Sequence, residues 1–334
     1  MPYYLYCLRL RRLVLIFVNP LYNKLRIQMY SNDKATSDNP PSISFILPVY
    51  NVASYIPRAL ESILLQTVRK EIILIDDGST DGSAEILAKY MHQYPFITVV
   101  SSQNRGVAAA RNAGLKLATG DFIMFLDPDD ELYPIDFGLW ARLAQDNGLQ
   151  AIKGVYLRPP YEEGKNMLRC KPVFQFKEQH NGKISSMQGI LMQSLPHHWP
   201  LHNMCFMIDR RHLVATGVTY RNGMRFGEDM VFISEFLIAG GKILEVDIPF
   251  FIYHRREGSL TTALPDHRLT DYLHNLLTYL VPLMERQTDS RYAETVRQIL
   301  LIEFDKVGRI VKNIPELKKE YDCLFAQLPD KKYL

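Results

Sequence analysis

The chain has 334 residues, a formal net charge of +3 and an apolar share of 47%, which is ordinary for a folded globular protein. Its basic charge is concentrated at the N-terminus, where residues 1–32 carry five basic side chains and no acidic ones. The rest of the chain therefore has a formal net charge of −2. This distribution excludes a nucleic-acid-binding surface as the main feature. The four cysteines form no CxxC pair, which argues against a zinc site and favours a reducing, cytoplasmic location.

Two interpretations of the N-terminal segment are open. Its apolar run, Leu13–Val18, is too short to span a bilayer and lacks the cleavage site of a signal peptide. The basic, tyrosine-rich segment could lie on the inner, anionic face of a membrane, or translation could begin at Met29. Residues 31–42 are polar and contain two prolines, as expected of a linker. Residues 1–41 are therefore predicted to be a leader and linker.

Strands and helices alternate in the segment that follows the linker. Buried strands are predicted at Ser42–Val49, Glu71–Ile75, Ile97–Ser101 and in the run from Phe122 towards Asp127. The apolar spacing predicts helices between them at Tyr55–Gln66 (with Ser54 as N-cap), Ser83–Tyr94 and Gly106–Thr119. Such alternation is typical of an α/β fold with a mostly parallel sheet and right-handed crossovers.

The second half of the chain is less regular. Strands are predicted at Ala151–Tyr156 and Met204–Ile208, a helix then runs to Gly217, and a further helix opens at Gly227-Glu228-Asp229 and ends at Ala239. A strand pair is expected at Ile243–Val246 and Phe251–His254. From Asp266 onward the pattern is helical, with leucines on one face.

Two of the predicted strands end in carboxylates, at Asp76-Asp77 and at Asp127-Pro128-Asp129-Asp130. Parallel strands deliver both ends to the same edge of a sheet, where ligands bind. Three neighbouring carboxylates repel one another, and Mg²⁺ or Mn²⁺ would relieve that repulsion. Two simpler interpretations stay open: a solvated loop with a helix N-cap at Asp129 or Asp130, and a plain tight turn at residues 76–83.

The turn at Asn104-Arg105-Gly106 leads into a helix, and its backbone N–H groups would face an anionic or base-edge ligand. Arg111, one turn further on, would add a positive charge or would simply be solvated. The sequence contains no G-x-x-x-x-G-K-[ST], no G-x-G-x-x-G and no G-x-S-x-G motif. ATPase, dinucleotide-binding and hydrolase functions therefore lose their main support.

Four segments together resemble family 2 glycosyltransferases, inverting enzymes of the GT-A fold. They are Phe45–Asn51, Ile75–Gly82, Asn104–Gly114 and Phe125–Asp130, in the family's order and at ordinary spacing. The resemblance implies a GT-A domain at 42–262, with a nucleotide-binding half at 42–135 and an acceptor half at 136–262. A helical C-terminal extension would follow at 263–334.

The resemblance also implies roles for individual residues. The nucleotide pocket would be lined by Pro48, Tyr50 and Asp77, with Asn104, Gly106 and Arg111 nearby. Asp127 would lie near the ribose, and Asp129 would hold Mn²⁺ or Mg²⁺ on the diphosphate. Asp229 would be the general base, with Glu228 beside it. A last group matches a family region near the leaving diphosphate: His254, which is either a metal ligand or a structural histidine, and Arg255, Arg256 and Ser259.

The implied function is a metal-dependent hexosyltransferase. It would move a sugar from a nucleotide-sugar donor, UDP-linked, to a hydroxyl of a glycan or lipid-linked acceptor in bacterial surface polysaccharide synthesis. A sugar nucleotidyltransferase would instead need a Gly-rich basic loop where the chain has Pro48–Asn51. The other alternative is a catalytically lapsed nucleotide-sugar-binding subunit, against which the joint presence of Asp77, Asp127, Asp129 and Asp229 argues.

Overall fold

The computed structural model describes residues 40–158, 171–172, 182–187, 202–254, 266–286 and 290–329. These residues form two compact units. Unit 1 contains the described residues up to Ser185 together with Asn203–Gly217 and Lys242–His254. Unit 2 contains residues 186–187, His202, Val218–Gly241 and the C-terminal helices. The predicted division into leader, GT-A domain and extension stays a prediction.

The first half of unit 1 confirms the predicted alternation. Its elements are β1 (Ser42–Val49), α1 (Ile56–Leu64), β2 (Arg69–Asp76), α2 (Ser83–Gln93), β3 (Ile97–Ser101), α3 (Val107–Leu117) and β4 (Phe122–Phe125). The predicted cap of α1 is wrong, because Tyr55 is the N-cap residue and no side chain caps the helix. Pro57 in the first turn has a fixed φ that suits this position, so the helix begins without Ser54.

The second half of unit 1 adds strands and two short helices. They are β5 (Glu131–Leu132), α4 (Phe137–Asp146), β6 (Ala151–Arg158), β7 (Lys171–Pro172), β8 (Lys183–Ser186), a 3₁₀ turn (Asn203–Cys205), β9 (Phe206–Asp209), α5 (Arg210–Thr216) and β10 (Lys242–Ile252). The expected strand pair at 243–254 is wrong, because β10 is a single strand of 11 residues. Its pairing with β6 shifts register on both sides of Pro249, so the proline is accommodated by an irregularity and the strand continues.

The described strands form one ten-stranded sheet in the order β3-β2-β1-β4-β9-β6-β10-β5, with β7 on β6 and β8 on β10. The pairs β2–β3, β1–β2, β1–β4 and β6–β10 are parallel. Strand β9 lies antiparallel between β4 and β6. The pairs β5–β10 and β6–β7 are also antiparallel. The sheet is therefore mixed, and its longer pairings are the parallel ones that were predicted. The carboxyl ends of β1, β2 and β4 meet at one edge, which is called the carboxyl edge below.

At the opposite end of the sheet, one carboxylate joins β1, β2 and the turn before β4. Glu71 accepts hydrogen bonds from Ser44 Oγ at 2.6 Å, Thr119 N at 2.6 Å and Gly120 N at 3.0 Å. Burial acts to raise the pKa of Glu71, but these hydrogen bonds outweigh it and hold the pKa below its usual value. The Glu71 carboxylate therefore has a structural role, since it ties together the ends of these three segments.

Unit 2 is helical in its described residues. It contains α6 (Glu228–Ala239), α7 (Arg268–Glu285), α8 (Ser290–Val311) and α9 (Pro315–Phe325). Four of the five leucines predicted to share one face of α7 are buried, namely Leu273, Leu276, Leu277 and Leu280, whereas Leu269 is half-buried. The apolar side chains Val296, Leu300 and Phe304 of α8 are buried as well. Across the part of the chain that the structure describes, none of the helices has both the length and the hydropathy needed to cross a bilayer.

Candidate active site

The loops that follow β1 and β2 are joined at the carboxyl edge. Asn51 has a left-handed backbone (φ 52°) and accepts a hydrogen bond from Thr80 N at 2.8 Å, while its own N–H donates to Ser79 Oγ at 3.1 Å. This arrangement leaves Pro48 buried at the end of β1 and Tyr50 exposed, with 48% of its surface accessible. An exposed aromatic ring beside a fixed loop suits the predicted contact with a nucleotide base, which stays a prediction.

Asp77 is buried at the end of β2 and holds the turn that was predicted to face a ligand. Its Oδ1 accepts a hydrogen bond from Arg105 N at 2.9 Å and its Oδ2 accepts one from Gly106 N at 2.7 Å. Gly106 has φ 88° and begins α3, and Asn104 beside it is exposed. Ser102 Oγ also donates to Asp77 Oδ1, at 3.3 Å. Asp77 therefore positions this turn, and its contact with the base stays a prediction.

Two other aspartates of the same loop have structural roles. Asp76 accepts a hydrogen bond from Ser79 N at 2.9 Å, and Asp81 accepts bonds from Ala53 N at 2.9 Å and Ser83 N at 3.0 Å. Burial acts to raise the pKa of Asp81, but its hydrogen bonds outweigh burial and lower it. Turn geometry thus explains the aspartates on either side of Asp77.

The three carboxylates after β4 form a cluster, called the acidic turn below (Asp127, Asp129 and Asp130). One carboxylate oxygen from each lies within 4.8 Å of the others. Asp130 N donates to Asp127 O at 3.0 Å, and the next element is strand β5, so the alternative interpretation of a helix cap at Asp129 or Asp130 is wrong. Asp130 is buried, whereas Asp127 and Asp129 are partly exposed.

Arginines hold two points of the acidic turn. Arg111 is buried on α3, and its Nη2 lies 2.9 Å from Asp127 Oδ1, so it is an ion-pair partner rather than a solvated residue. Arg58 Nη2, from α1, donates to the carbonyl oxygen of Asp129 at 2.6 Å. The first contact binds a carboxylate and the second binds backbone. The two contacts therefore fix the turn in place.

Within the acidic turn, Asp130 is affected both by its burial and by the two neighbouring carboxylates. Burial raises the pKa of Asp130 well above its usual range, and the charges of Asp129 and Asp127 raise it further. The hydrogen bond from His254 N and the charge of Arg58 oppose this only in part. A cluster of carboxylate oxygens of this size suits a hard divalent cation such as Mn²⁺ or Mg²⁺.

His254 lies beside the acidic turn at the end of β10. Its backbone N–H donates to Asp130 Oδ1 at 2.8 Å, and its Nε2 is 2.7 Å from Glu131 Oε1. The pairing with Glu131 favours the structural alternative for this histidine, and its role as a metal ligand stays a prediction. Arg255, Arg256 and Ser259 lie outside the described residues.

In unit 2, Glu228 and Asp229 open helix α6. Asp229 Oδ1 accepts a hydrogen bond from Met230 N at 2.9 Å, and its Oδ2 lies 3.2 Å from His202 Nδ1. Behind the helix start, Tyr272 of α7 donates to Glu303 Oε2 of α8 at 3.0 Å. Burial raises the pKa of Tyr272 well above its usual value, and the charges of Glu303, Asp229 and Glu228 add to this, so the phenol stays neutral.

Gly227 is required at this helix start for two reasons. Its φ is 77°, and a Cβ would lie 2.7 Å from Tyr272 Cε2. We expect Gly227→Ala to lower the free energy of unfolding by about 2–4 kcal/mol, from left-handed strain and overlap with the ring. Gly217→Ala is the matched control, with φ 69° and open space around the Cβ, and should cost about 1 kcal/mol. Equal losses in denaturant titrations would contradict the ring-contact argument.

Several residues beside the predicted ones were not found by sequence reasoning. Arg58 contacts the acidic turn at Asp129, and Glu131 contacts the neighbouring His254. His202 contacts Asp229. Glu131 directly follows the acidic turn, so its position in the sequence could have identified it as a residue of the site. Arg58 and His202 have no motif, and their contacts with Asp129 and Asp229 span 71 and 27 residues of sequence.

The fold and the carboxyl-edge site define a GT-A-type glycosyltransferase. The family model for glycosyl transferase family 2 matches residues 44–211, which is half of the chain, and the chain belongs to this family. One relative is the succinoglycan biosynthesis protein ExoO of Rhizobium meliloti, which is 30% identical over 241 residues. That match covers 68% of this chain and 64% of ExoO.

Solved structures support the same fold. TarS of S. aureus, residues 1–349 in complex with UDP-GlcNAc, aligns with a TM-score of 0.69 and 19% identity, over 86% of this chain and 82% of that one. The mannosyltransferase PcManGT of Pyrobaculum calidifontis, in complex with GDP-Man and Mn²⁺, aligns with a TM-score of 0.56 and 15% identity over 96% of both chains. At these identities the similarity establishes the fold.

Proposed function

We propose that this glycosyltransferase is inverting and metal-dependent and uses a UDP-sugar donor. The observation that carries the proposal is the acidic turn, where three carboxylates converge at the carboxyl edge. Arg111 holds this turn at the Asp127 carboxylate, and Arg58 holds it at the Asp129 backbone. The UDP-GlcNAc bound by TarS supports a UDP-sugar, and the Mn²⁺ bound by PcManGT supports a divalent cation.

The acidic turn would hold the cation through Asp129 and its neighbours. A bound Mn²⁺ or Mg²⁺ would neutralise charge that grows on the departing nucleoside diphosphate. Arg111 would orient Asp127 through their 2.9 Å contact. Tyr50 and the turn held by Asp77 would receive the nucleotide, in keeping with the family resemblance.

Asp229 is proposed as the general base. It accepts the proton of the acceptor hydroxyl as that oxygen bonds to the anomeric carbon, and the bond from this carbon to the diphosphate oxygen breaks. The nucleoside diphosphate leaves with the bonding electron pair. A single displacement of this kind inverts the anomeric centre, so an α-linked donor gives a β-linked product.

The acceptor is proposed to be a hydroxyl of a glycan or of a lipid-linked sugar in bacterial polysaccharide synthesis. The succinoglycan role given in the name of ExoO supports this assignment. Residues 1–39 lie outside the described residues, so membrane contact through the basic leader stays a prediction.

A thermal-shift panel tests the donor and the metal together. We expect UDP-sugars to raise the melting temperature in the presence of Mn²⁺ and to lose most of that effect in EDTA. A ligand at 100 times its Kd adds about 2.7 kcal/mol of stability. GDP-mannose and dTDP-glucose serve as matched donors with other bases, and Mn²⁺ alone is the blank. Preferential stabilisation by GDP-mannose would contradict the UDP assignment, and an equal shift in EDTA would contradict metal dependence.

A further inference from the structure

Strands β6 and β10 end at the carboxyl edge as well. Strand β9 is antiparallel to both β4 and β6, so β6 runs in the direction of β4, and β10 is parallel to β6. Where these two strands end, Tyr253 N donates to Leu157 O at 2.8 Å. The next residue, His254, donates its N–H to Asp130 Oδ1 at 2.8 Å. The ends of β6 and β10 therefore lie beside the acidic turn, and the proposed mechanism has no role for Tyr253.

Three aromatic rings and one arginine line the same face of these strand ends. The ring centroids of Phe251 and Tyr156 are 5.2 Å apart, and those of Tyr156 and Tyr253 are 6.1 Å apart. Arg158 Cζ lies 5.4 Å from the centroid of the Tyr253 ring. Phe251 and Tyr156 are buried, whereas Tyr253 and Arg158 are partly exposed. The four side chains therefore form a series that runs from the core to the surface and ends in a guanidinium.

Arg158 carries a positive charge that is not matched by a carboxylate. Within the described part of the chain, Arg158 forms no ion pair, and its buried Nε has no hydrogen-bond partner. Burial raises the pKa of Tyr156, and the charge and the hydrogen bond of Arg158 oppose this. Arg111, at the same edge, is instead paired with Asp127. Because a guanidinium stays charged when it is partly buried, a bound anion would compensate for the water that it has lost.

The guanidinium is held in a geometry that suits an anionic ligand. Its contact with the Tyr253 ring orients the planar group, whose N–H donors match the two oxygens of a phosphate or a carboxylate. In the sheet, Ile252 pairs with both Leu157 and Glu131, and neighbouring strands are about 4.8 Å apart. Arg158 thus lies about 10 Å, or two strand spacings, from the residue that follows the acidic turn. It can reach a substrate that reacts there.

We propose that Arg158 and Tyr253 form an acceptor subsite that binds a phosphate or a carboxylate group carried by the acceptor. The guanidinium binds the anion through two N–H groups, and the Tyr253 ring holds the guanidinium in place. The position in the sheet favours the acceptor as the source of the anion, since β4 and β9 separate β6 from the strands β1 and β2 whose loops would receive the nucleotide. This inference rests on the proposed function, which assigns the donor phosphates to the metal at the acidic turn.

A thermal-shift titration of wild-type protein tests the subsite. The protein is saturated with UDP and excess Mn²⁺, so that the metal and the donor site are occupied, and the ionic strength is kept constant. The probes are glucuronic acid and glucose 6-phosphate, with glucose as the matched neutral sugar. We expect the apparent Kd of at least one charged probe to be about tenfold or more below that of glucose, as a hydrogen-bonded charge pair provides.

Substitutions of Arg158 then locate the preference for a charged probe. Arg158→Gln removes the charge and should abolish the preference, while the affinity for UDP in Mn²⁺ stays within about threefold of wild type. Arg158→Lys keeps a charge without the planar fork and should retain only part of the preference. Arg211→Gln is the matched control, because Arg211 is an exposed arginine on α5 of the same unit. It should leave both the preference and the UDP affinity unchanged.

The outcomes separate this inference from the proposed function. If wild type does not bind UDP in Mn²⁺, the proposed function is wrong. If wild type binds UDP but binds the charged probes no better than glucose, or binds no probe, the subsite alone is overturned. If Arg158→Gln keeps the preference and loses UDP affinity tenfold, Arg158 binds the donor diphosphate and the acceptor subsite is wrong. Should Arg158→Gln not fold, a folded Arg158→Lys protein with the full wild-type preference would contradict the two-pronged contact.

Discussion

Asp229→Asn is expected to lower turnover by about 10²–10⁴, the usual contribution of a positioned base, while donor affinity stays close to that of wild type. The amide keeps the shape of the side chain and an oxygen that can accept from Met230 N, so helix α6 should still begin at the same place. An amide cannot take up the proton of the acceptor. The measurement is UDP release under saturating UDP-sugar, together with calorimetric titration of UDP.

Asp271→Asn is the control for this substitution, since it changes an exposed carboxylate in the first turn of α7. Its turnover should equal that of wild type. If Asp229→Asn lost donor binding and turnover to the same degree, Asp229 would be a donor ligand or a structural residue. If it kept both, the base would have to be another group.

Asp129→Asn is expected to remove the effect of Mn²⁺ on UDP binding and to lower UDP affinity in Mn²⁺ by at least about tenfold. An amide lacks the charge that holds a hard cation. The substitution leaves in place the backbone carbonyl of Asp129, which Arg58 contacts. Asp127, by comparison, pairs with Arg111, and Asp130 is buried and accepts a hydrogen bond from His254 N.

Calorimetric titration of UDP with Mn²⁺ and with EDTA measures this effect. Asp146→Asn, at the exposed end of α4, is the matched control and should keep the Mn²⁺ dependence of wild type. A folded Asp129→Asn protein with an undiminished Mn²⁺ effect would contradict the assignment of the acidic turn as the metal site.

Much of the fold could be predicted where the pattern was local. Strands β1 and β3 have the predicted bounds because each is a continuous β-rich run bounded by turn residues. Helix α6 lies between Gly227 and Gly240, both with positive φ, so its ends were visible in the sequence. Strand β10 was divided in the prediction because Pro249 interrupts its pattern, and only the pairing with β6 shows that the strand continues.

The order of the strands in the sheet could not be predicted from local sequence patterns. Strand β9 is inserted antiparallel between β4 and β6, although 80 residues separate it from β4. Alternating strands and helices predict parallel neighbours, and nothing in the short run Phe206–Asp209 indicates its direction. The mixed part of the sheet therefore had to be learned from the structure.

In the candidate active site, too, local features were predictable and long-range contacts were not. The acidic turn was predictable because three carboxylates follow a buried strand directly. Three other features were not predictable: the hydrogen bonds that Asp77 accepts from the 105–106 turn, the contact of Arg58 with Asp129, and the contact of His202 with Asp229. Each joins residues at least 27 positions apart in the sequence, and short-range patterns carry no information about such pairs.

The central claim is an inverting displacement from a UDP-sugar, and the configuration of the released sugar tests it most directly. The reaction contains wild-type protein, water as acceptor and the α-linked UDP-sugar that gives the largest Mn²⁺-dependent stabilisation. Proton NMR follows the hydrolysis of this donor at early times. The anomeric proton resonances report the first sugar formed, before mutarotation equilibrates it. A β-anomer that appears first, at a rate lost in Asp229→Asn, is the predicted result. An α-anomer formed first would contradict the single displacement and the role of Asp229 in it.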